Sequence, residues 1–299
     1  MTRFPHDQFA KEYLKELLTP LGQVETSRKV AGEVREIDVW FTPSSTPSTE
    51  TQTLGLLGKF ATTPAIFEPF RNAVTSRQIR SCMGKLFAVE AELERQAKRE
   101  NTYLNESEVP KLWIFTPTAS ALLLDDFRAI SAPENWLPGV YLLGEGLKTA
   151  IVAIHQLPRT PETLWLRILG KGTVQKQAIS ELTALPADSR LRVNALELLY
   201  NLRVILETNQ NLEPEDRELI MELSPLYLEK LDTALQSGIQ QGIQQGQRLV
   251  VEKLLMIRFG NLDDELKSII EPLLELPPEE FTSLLLQLSR DELLARFRR

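Results

Sequence analysis

Every stretch of this chain with strand character lies before residue 160, and from Thr160 onward the apolar residues recur only at helical spacing. That asymmetry predicts an α/β front built on a short mixed sheet, followed by an all-α C-terminal region. Residues 5–18 carry Phe9, Tyr13, Leu14, Leu17 and Leu18 on one helical side, with Pro20 and Gly22 as the stop. Residues 23–30 and 33–41 read as strands. In the second, Ile37, Val39 and Phe41 alternate with Glu36, Asp38 and Trp40, which puts Glu36 and Asp38 on one face. The Ser/Thr/Pro tract 42–53 reads as an exposed loop, and 54–60 as the next strand. Beyond a short segment at 64–70, a long helix is expected over 76–99, with Ile79, Met83, Leu86, Phe87 and Leu93 facing inward. Strands follow at 111–115, 139–143 and 149–155, the first two separated by a helical segment at 119–127.

The helical part opens with Thr160 as N-cap and Pro161 at the first helical position. Amphipathic helices are expected over 175–207 and 214–235, and a last bundle over 263–297, its final helix starting in a Ser289/Glu292 capping box. The expected domains are therefore 1–160, a helical extension 161–235, a glycine-repeat helix 236–260, and a small helical domain 261–299.

Composition removes several classes of function. A net charge of -7 opposes binding of nucleic acid by bulk electrostatics, which leaves only local basic patches for that purpose. Cys82 has no second cysteine to pair with, and with only His6 and His155 beside it a zinc site of the usual Cys/His kind is excluded. The start lacks the apolar stretch of a leader, and no apolar run approaches membrane-spanning length, so a cytoplasmic protein with no membrane partner is expected. Cys82 has no neighbouring histidine and reads as packing; His155 reads as a core-margin histidine; His6 helps start the first helix.

The order helix, three strands, helix, strand matches the αβββαβ restriction-endonuclease-like core of the PD-(D/E)XK nuclease superfamily. His6-Asp7-Gln8-Phe9-Ala10-Lys11 resembles the opening of its recombination-promoting nuclease and transposase branch. The resemblance covers the first half of the chain. The stretch 249–297 is similar to a small helical domain that follows such nuclease-like domains in bacterial families. What the resemblance implies is a DNA endonuclease dependent on Mg2+ or Mn2+, or a relative that binds DNA without cutting it. In that superfamily a strand Asp and a second acid hold the ion, the second acid standing one strand later and two residues before a Lys that orients water. Asp38 fits the first acid and Lys59 the lysine, but Leu57 occupies the position of the second acid. Glu36, on the Asp38 face, and Glu16, on the first helix, are the candidates to complete the metal set with Asp38.

Two further features bear on partners. Arg71, Arg77, Arg80 and Lys85 cluster before and within the long helix, where they are candidate phosphate contacts or a solvated charged face. Gly238, Gly242 and Gly246 recur at spacing four in a helical stretch, and each costs about 1 kcal/mol against Ala. A close helix approach in a homo-oligomer compensates that cost, and a hinge is the other reading. The repeat also resembles that of the flagellar assembly protein H family. The rival to the nuclease reading is thus a non-catalytic oligomeric interaction protein assembled through this helix.

Overall fold

The computed structural model describes residues 5–30, 35–44, 50–208 and 212–297. Helix α1 (Pro5–Leu18) buries Phe9, Ala10, Tyr13, Leu14, Leu17 and Leu18, the stripe its sequence spacing demands. Strands β1 (Gly22–Val30) and β2 (Arg35–Pro43) form an antiparallel hairpin, and residues 33 and 34 of the expected second strand lie outside the described residues. The rest of the front follows as α2 (Glu50–Thr53), α3 (Gly55–Phe60), β3 (Ala65–Pro69), α4 (Ser76–Arg99), β4 (Lys111–Thr116), α5 (Ala121–Asp126), β5 (Ile130–Ser131), β6 (Val140–Leu142) and β7 (Thr149–Ala153).

The strands make one mixed sheet of seven in the order β1-β2-β3-β4-β7-β6-β5. β3 pairs antiparallel with β2 and parallel with β4, and α4 is the crossover that a parallel neighbour requires. Thr75 caps α4 in a reciprocal box with Gln78. The helix then lays Ile79, Cys82, Leu86 and Val89 on a sheet face made by Trp40, Ile66, Leu112, Ile114 and Ile151. The alternate residues of β4 turn the other way: Trp113 stacks on Phe60 of α3 at 3.9 Å between centroids, and Phe115 packs at 5.6 Å from Phe67.

Residues 54–60, expected as a strand, are helical, and the third strand is instead Ala65–Pro69. The apolar positions Leu54, Leu57 and Phe60 recur at intervals of three, and a short apolar run without clean alternation fits either element. Within the helix, Gly58 lets the chain pass Thr51 closely: a Cβ there would meet the Thr51 carbonyl oxygen at 2.1 Å. β3 is bracketed by Pro64 and Pro69, which makes it look like a loop, yet it pairs with β4 along its whole length and with β2 over residues 65–67. Lys111 N–H donates to Pro64 O, and Phe70 N–H to Phe115 O.

After β7 a capped 3₁₀ turn at Pro161–Thr163 leads into α6 (Leu164–Arg167), α7 (Thr173–Thr183), α8 (Arg190–Glu207) and the 46-residue α9 (Pro214–Phe259). No strand follows β7 among the described residues. Two compact units result, Met1–Ser224 and Pro225–Arg299. The first of them includes α6 to α8, so the boundary expected at residue 160 falls inside one packed body. Tyr13 O–H donates to Trp165 O, and Trp165 Nε1 to Thr53 O, which ties α1, α6 and the segment before α3 together. The second unit closes with α10 (Asp264–Ser268), α11 (Ile270–Leu274), α12 (Pro278–Gln287) and α13 (Arg290–Phe297) around Val251, Leu255, Leu266, Ile270, Phe281, Leu285 and Leu293. Its Ser289/Glu292 capping box forms as expected. Among the described residues no helix is long and apolar enough to cross a membrane.

Candidate active site

β2 and β3 run antiparallel, so the start of one and the end of the other share an end of the sheet. Their last paired residues there are Val39 and Phe67. One step beyond stand Asp38 and Glu68, and the Asp38 N–H donates to Glu68 Oε1 at 3.4 Å. Glu68 is 1% exposed in a strand otherwise built from apolar residues and proline. Its other oxygen, Oε2, accepts from the Lys85 ammonium at 2.6 Å and from the Cys82 thiol at 3.6 Å, both groups reaching down from α4. Asp38 is more open, and its Oδ1 lies 3.0 Å from the ammonium of Lys11 on α1. Lys11 is shared, since its Nζ is also 3.0 Å from Asp7 Oδ2 one helical turn back.

Two carboxylates from β2 and β3 and two ammonium groups from α1 and α4 thus meet at one end of the sheet. Burial pushes the Glu68 carboxyl up to about 7, and the negative charge of Asp38 adds to the effect while Lys85 opposes it. Burial likewise raises Asp38, against the pull of Lys11 and Lys85. Burial lowers both lysines, but the carboxylates outweigh it, so Lys11 and Lys85 end above their ordinary values. The Cys82 thiol is driven up by burial and by Glu68, which removes it as a nucleophile.

Asp38 and Lys11 open onto a cavity of about 500 Å³. Its lining includes the apolar Phe9, Phe70 and Leu169 and the polar Asp7, Glu36, Arg71, Asn72 and Gln175. His6, at the start of α1, lies 2.9 Å from Asp216 Oδ1, the same oxygen that accepts from Arg71 Nη2 at 2.9 Å. Arg71 also donates to Gly170 O and Gln175 Oε1. Burial lowers His6, with Arg71 adding to the effect against Asp216, so the imidazole is neutral near pH 7.

The residues expected from sequence are only partly brought together. Glu36 lines the cavity with Asp38 but is exposed. Glu16 is turned away, its carboxylate accepting a hydrogen bond from Asn194 of α8. Lys59 is a correction: it sits on α3, on the sheet face opposite α4, where its ammonium donates to Asn135 O and lies 4.3 Å over the Trp136 ring. Lys85 is another, since it is buried against Glu68 rather than standing in a basic surface patch. Arg71 is tied up internally, which leaves Arg77 and Arg80 as the exposed members of that group of four. His155 is exposed and accepts a hydrogen bond from the Lys171 N–H.

Sequence reasoning missed Glu68 and gave Lys85 the wrong role. Both left a signal. An acid between Phe67 and Pro69 interrupts a short apolar run, and Lys85 falls within the buried stripe of Ile79, Cys82, Leu86 and Val89.

Among the described residues no group of three or more His, Cys, Asp or Glu gathers closely enough to enclose a metal. The nearest approach to such a group is the pair Asp38 and Glu68, each of which is held by a lysine ammonium. No family model, curated protein or solved structure matches the chain.

Proposed function

We propose that the first unit is a divalent-metal-dependent DNA endonuclease of the PD-(D/E)XK kind, with Asp38 and Glu68 as its acid pair and Lys85 as its lysine. The observation that carries this reading is the placement of Asp38 and Glu68 side by side from adjacent strands, with the Lys85 ammonium 2.6 Å from Glu68. Two residues after Glu68, where the superfamily pattern has its lysine, this chain has Phe70, and the amine comes from α4 instead.

Asp38 and Glu68 would hold the ion. A divalent cation bound there supplies positive charge to the phosphate as its bond breaks and makes water a better nucleophile near neutral pH. Lys85 opposes the rise that burial gives the Glu68 carboxyl, and its ammonium is positioned to meet charge developing on the phosphate. Exposed Arg77 and Arg80, on the same helix as Lys85, are suited to phosphates of a bound strand.

The test is nicking of supercoiled plasmid with Mg2+ or Mn2+. Asp38→Ala, Glu68→Ala and Lys85→Met should each lower the rate by about a hundredfold or more, while Lys59→Met retains it. Metal-dependent nicking that survives Asp38→Ala would refute the assignment.

A second reading, an oligomeric interaction protein, is favoured by one stretch of α9. Leu228, Leu231, Leu235, Ile239 and Ile243 are exposed there, and the Cβ positions of Gly238, Gly242 and Gly246 face open space. Such a face suits a second copy of the helix. Light scattering on Gly242→Leu checks it: an oligomer unchanged by that substitution removes the glycine face from assembly.

A further inference from the structure

Within the second unit, α9 carries an apolar stripe on the side turned away from the core. Leu228, Leu231, Leu235, Ile239, Val250 and Ile257 are all exposed there, and Gly242 and Gly246 fall into the same series. The positions 228, 231 and 235, then 239, 242 and 246, then 250, 253 and 257 repeat every 11 residues. That period is close to the turn of an α-helix, so the series keeps to one side of α9 for about 44 Å. Val251 and Leu255, which belong to the core, lie on the opposite side. Two exposed charges stand in the stripe: Asp232, one turn from Leu228 and Leu235, and Lys253, within the series itself. Stripe and charges are arranged symmetrically about the Gly242–Ile243 peptide. Counting outward from it, Gly246 answers Ile239, Val250 answers Leu235, Lys253 answers Asp232, and Ile257 answers Leu228.

We propose that this stripe docks a second copy of the chain in an antiparallel arrangement, with the twofold axis at Gly242–Ile243. The inference rests on reading α9 as an assembly helix, and it adds the orientation and the register. A Cβ at Gly242 or Gly246 meets nothing within 4 Å, so the bare backbone there is free to receive Ile243 and Ile239 of the other copy. Asp232 of each chain then meets Lys253 of the other, an isologous contact made twice. A parallel pair in register sets Asp232 on Asp232, Lys253 on Lys253 and glycine on glycine. Like-charge repulsion and unfilled space both oppose it.

Equilibrium sedimentation of the full chain tests orientation and assembly together. The wild type should dimerise. Asp232→Lys and Lys253→Asp should each weaken the dimer about tenfold, because each turns two attractive pairs into two repulsive ones. The double variant Asp232→Lys with Lys253→Asp should return to wild-type affinity. A dimer that neither single substitution weakens, or that the double variant does not restore, overturns the antiparallel arrangement and leaves α9 as the assembly helix. Cross-linking with a short bismaleimide reads the same geometry by contact, and the buried Cys82 does not compete. Chains carrying Leu228→Cys should join to chains carrying Ile257→Cys, and neither should join to itself. Self-linking without the mixed product overturns the arrangement as well. A wild-type chain that stays monomeric is the separate result that removes the assembly reading itself, and the arrangement with it.

Discussion

Glu68 is the residue on which the proposed chemistry rests, and its environment makes two opposite demands. Burial and the Asp38 charge raise its carboxyl to about 7, so the folded chain binds a proton more tightly than the unfolded one. Stability from this group is fully present below the unfolded value and is lost as pH rises through about 7. Metal binding needs the ionised form, so nicking should rise across the window in which stability falls. Urea midpoints and initial nicking rates measured between about pH 5 and 8 check both slopes. Asp38→Asn removes the like charge and should move the stability loss to lower pH; an unmoved window would mean that burial alone sets it. Lys85 supplies the complementary prediction. Lys85→Met leaves a buried carboxyl unpaired and should cost about 3 kcal/mol at pH 8, most of it recovered in Lys85→Met with Glu68→Gln, as a double-mutant cycle would read. Each residue leaves a local signal in the sequence, but their pairing does not, since Glu68 and Lys85 are apart until α4 folds back on β3.

At the scale of elements, the same few residue types give opposite results in different settings. Gly58 sits in α3 against the Thr51 backbone, and Gly58→Ala should destabilise by about 1–3 kcal/mol because the contact at 2.1 Å is with backbone that has little room to move. Gly242 sits in α9 with nothing within 4 Å. Gly242→Ala should therefore raise helix stability by up to about 1 kcal/mol if the helix stands alone, and lower it if a second copy packs there. Denaturant unfolding over a range of protein concentrations separates the two outcomes. α1 was legible from its stripe, and α4 in part, since Ile79 and Leu86 are buried as expected while Phe87, expected inward, is exposed. β1, β2, β4 and β7 were legible from their runs of strand-forming residues. β3 was not, because its flanking prolines read as punctuation. Pro69 comes last in the strand, and Pro64, just before it, contributes only its carbonyl.

At the scale of the molecule, the two compact units have separate cores, and the second draws its buried residues from Val251 to Leu293. Residues 235–247 of α9 contribute no buried side chain to either. Limited proteolysis should first cut within that stretch, where Arg248 is the nearest basic site, and mass spectrometry should recover a protected fragment of each unit. Cleavage that begins within β3 or α4 instead would contradict the separation of cores. The helices α6 to α8 belong with the sheet because their apolar faces close over α1 and α3, a pairing that composition along the chain does not announce.

Local pattern alone determined the split into a mixed α/β front and a helical remainder, the amphipathic faces of α1 and α4, the capped helix starts, and Asp38 on a strand. Each of these depends on residues within a few positions of one another, where spacing and side-chain type suffice. Only the tertiary structure decided that Glu68 is the acid beside Asp38, that Lys85 and not Lys59 supplies the amine, and that Lys11 crosses from α1 to hold Asp38. Those pairings join residues 17 to 30 positions apart across separate elements, and strand order, register and helix packing, not local spacing, bring them within hydrogen-bonding distance.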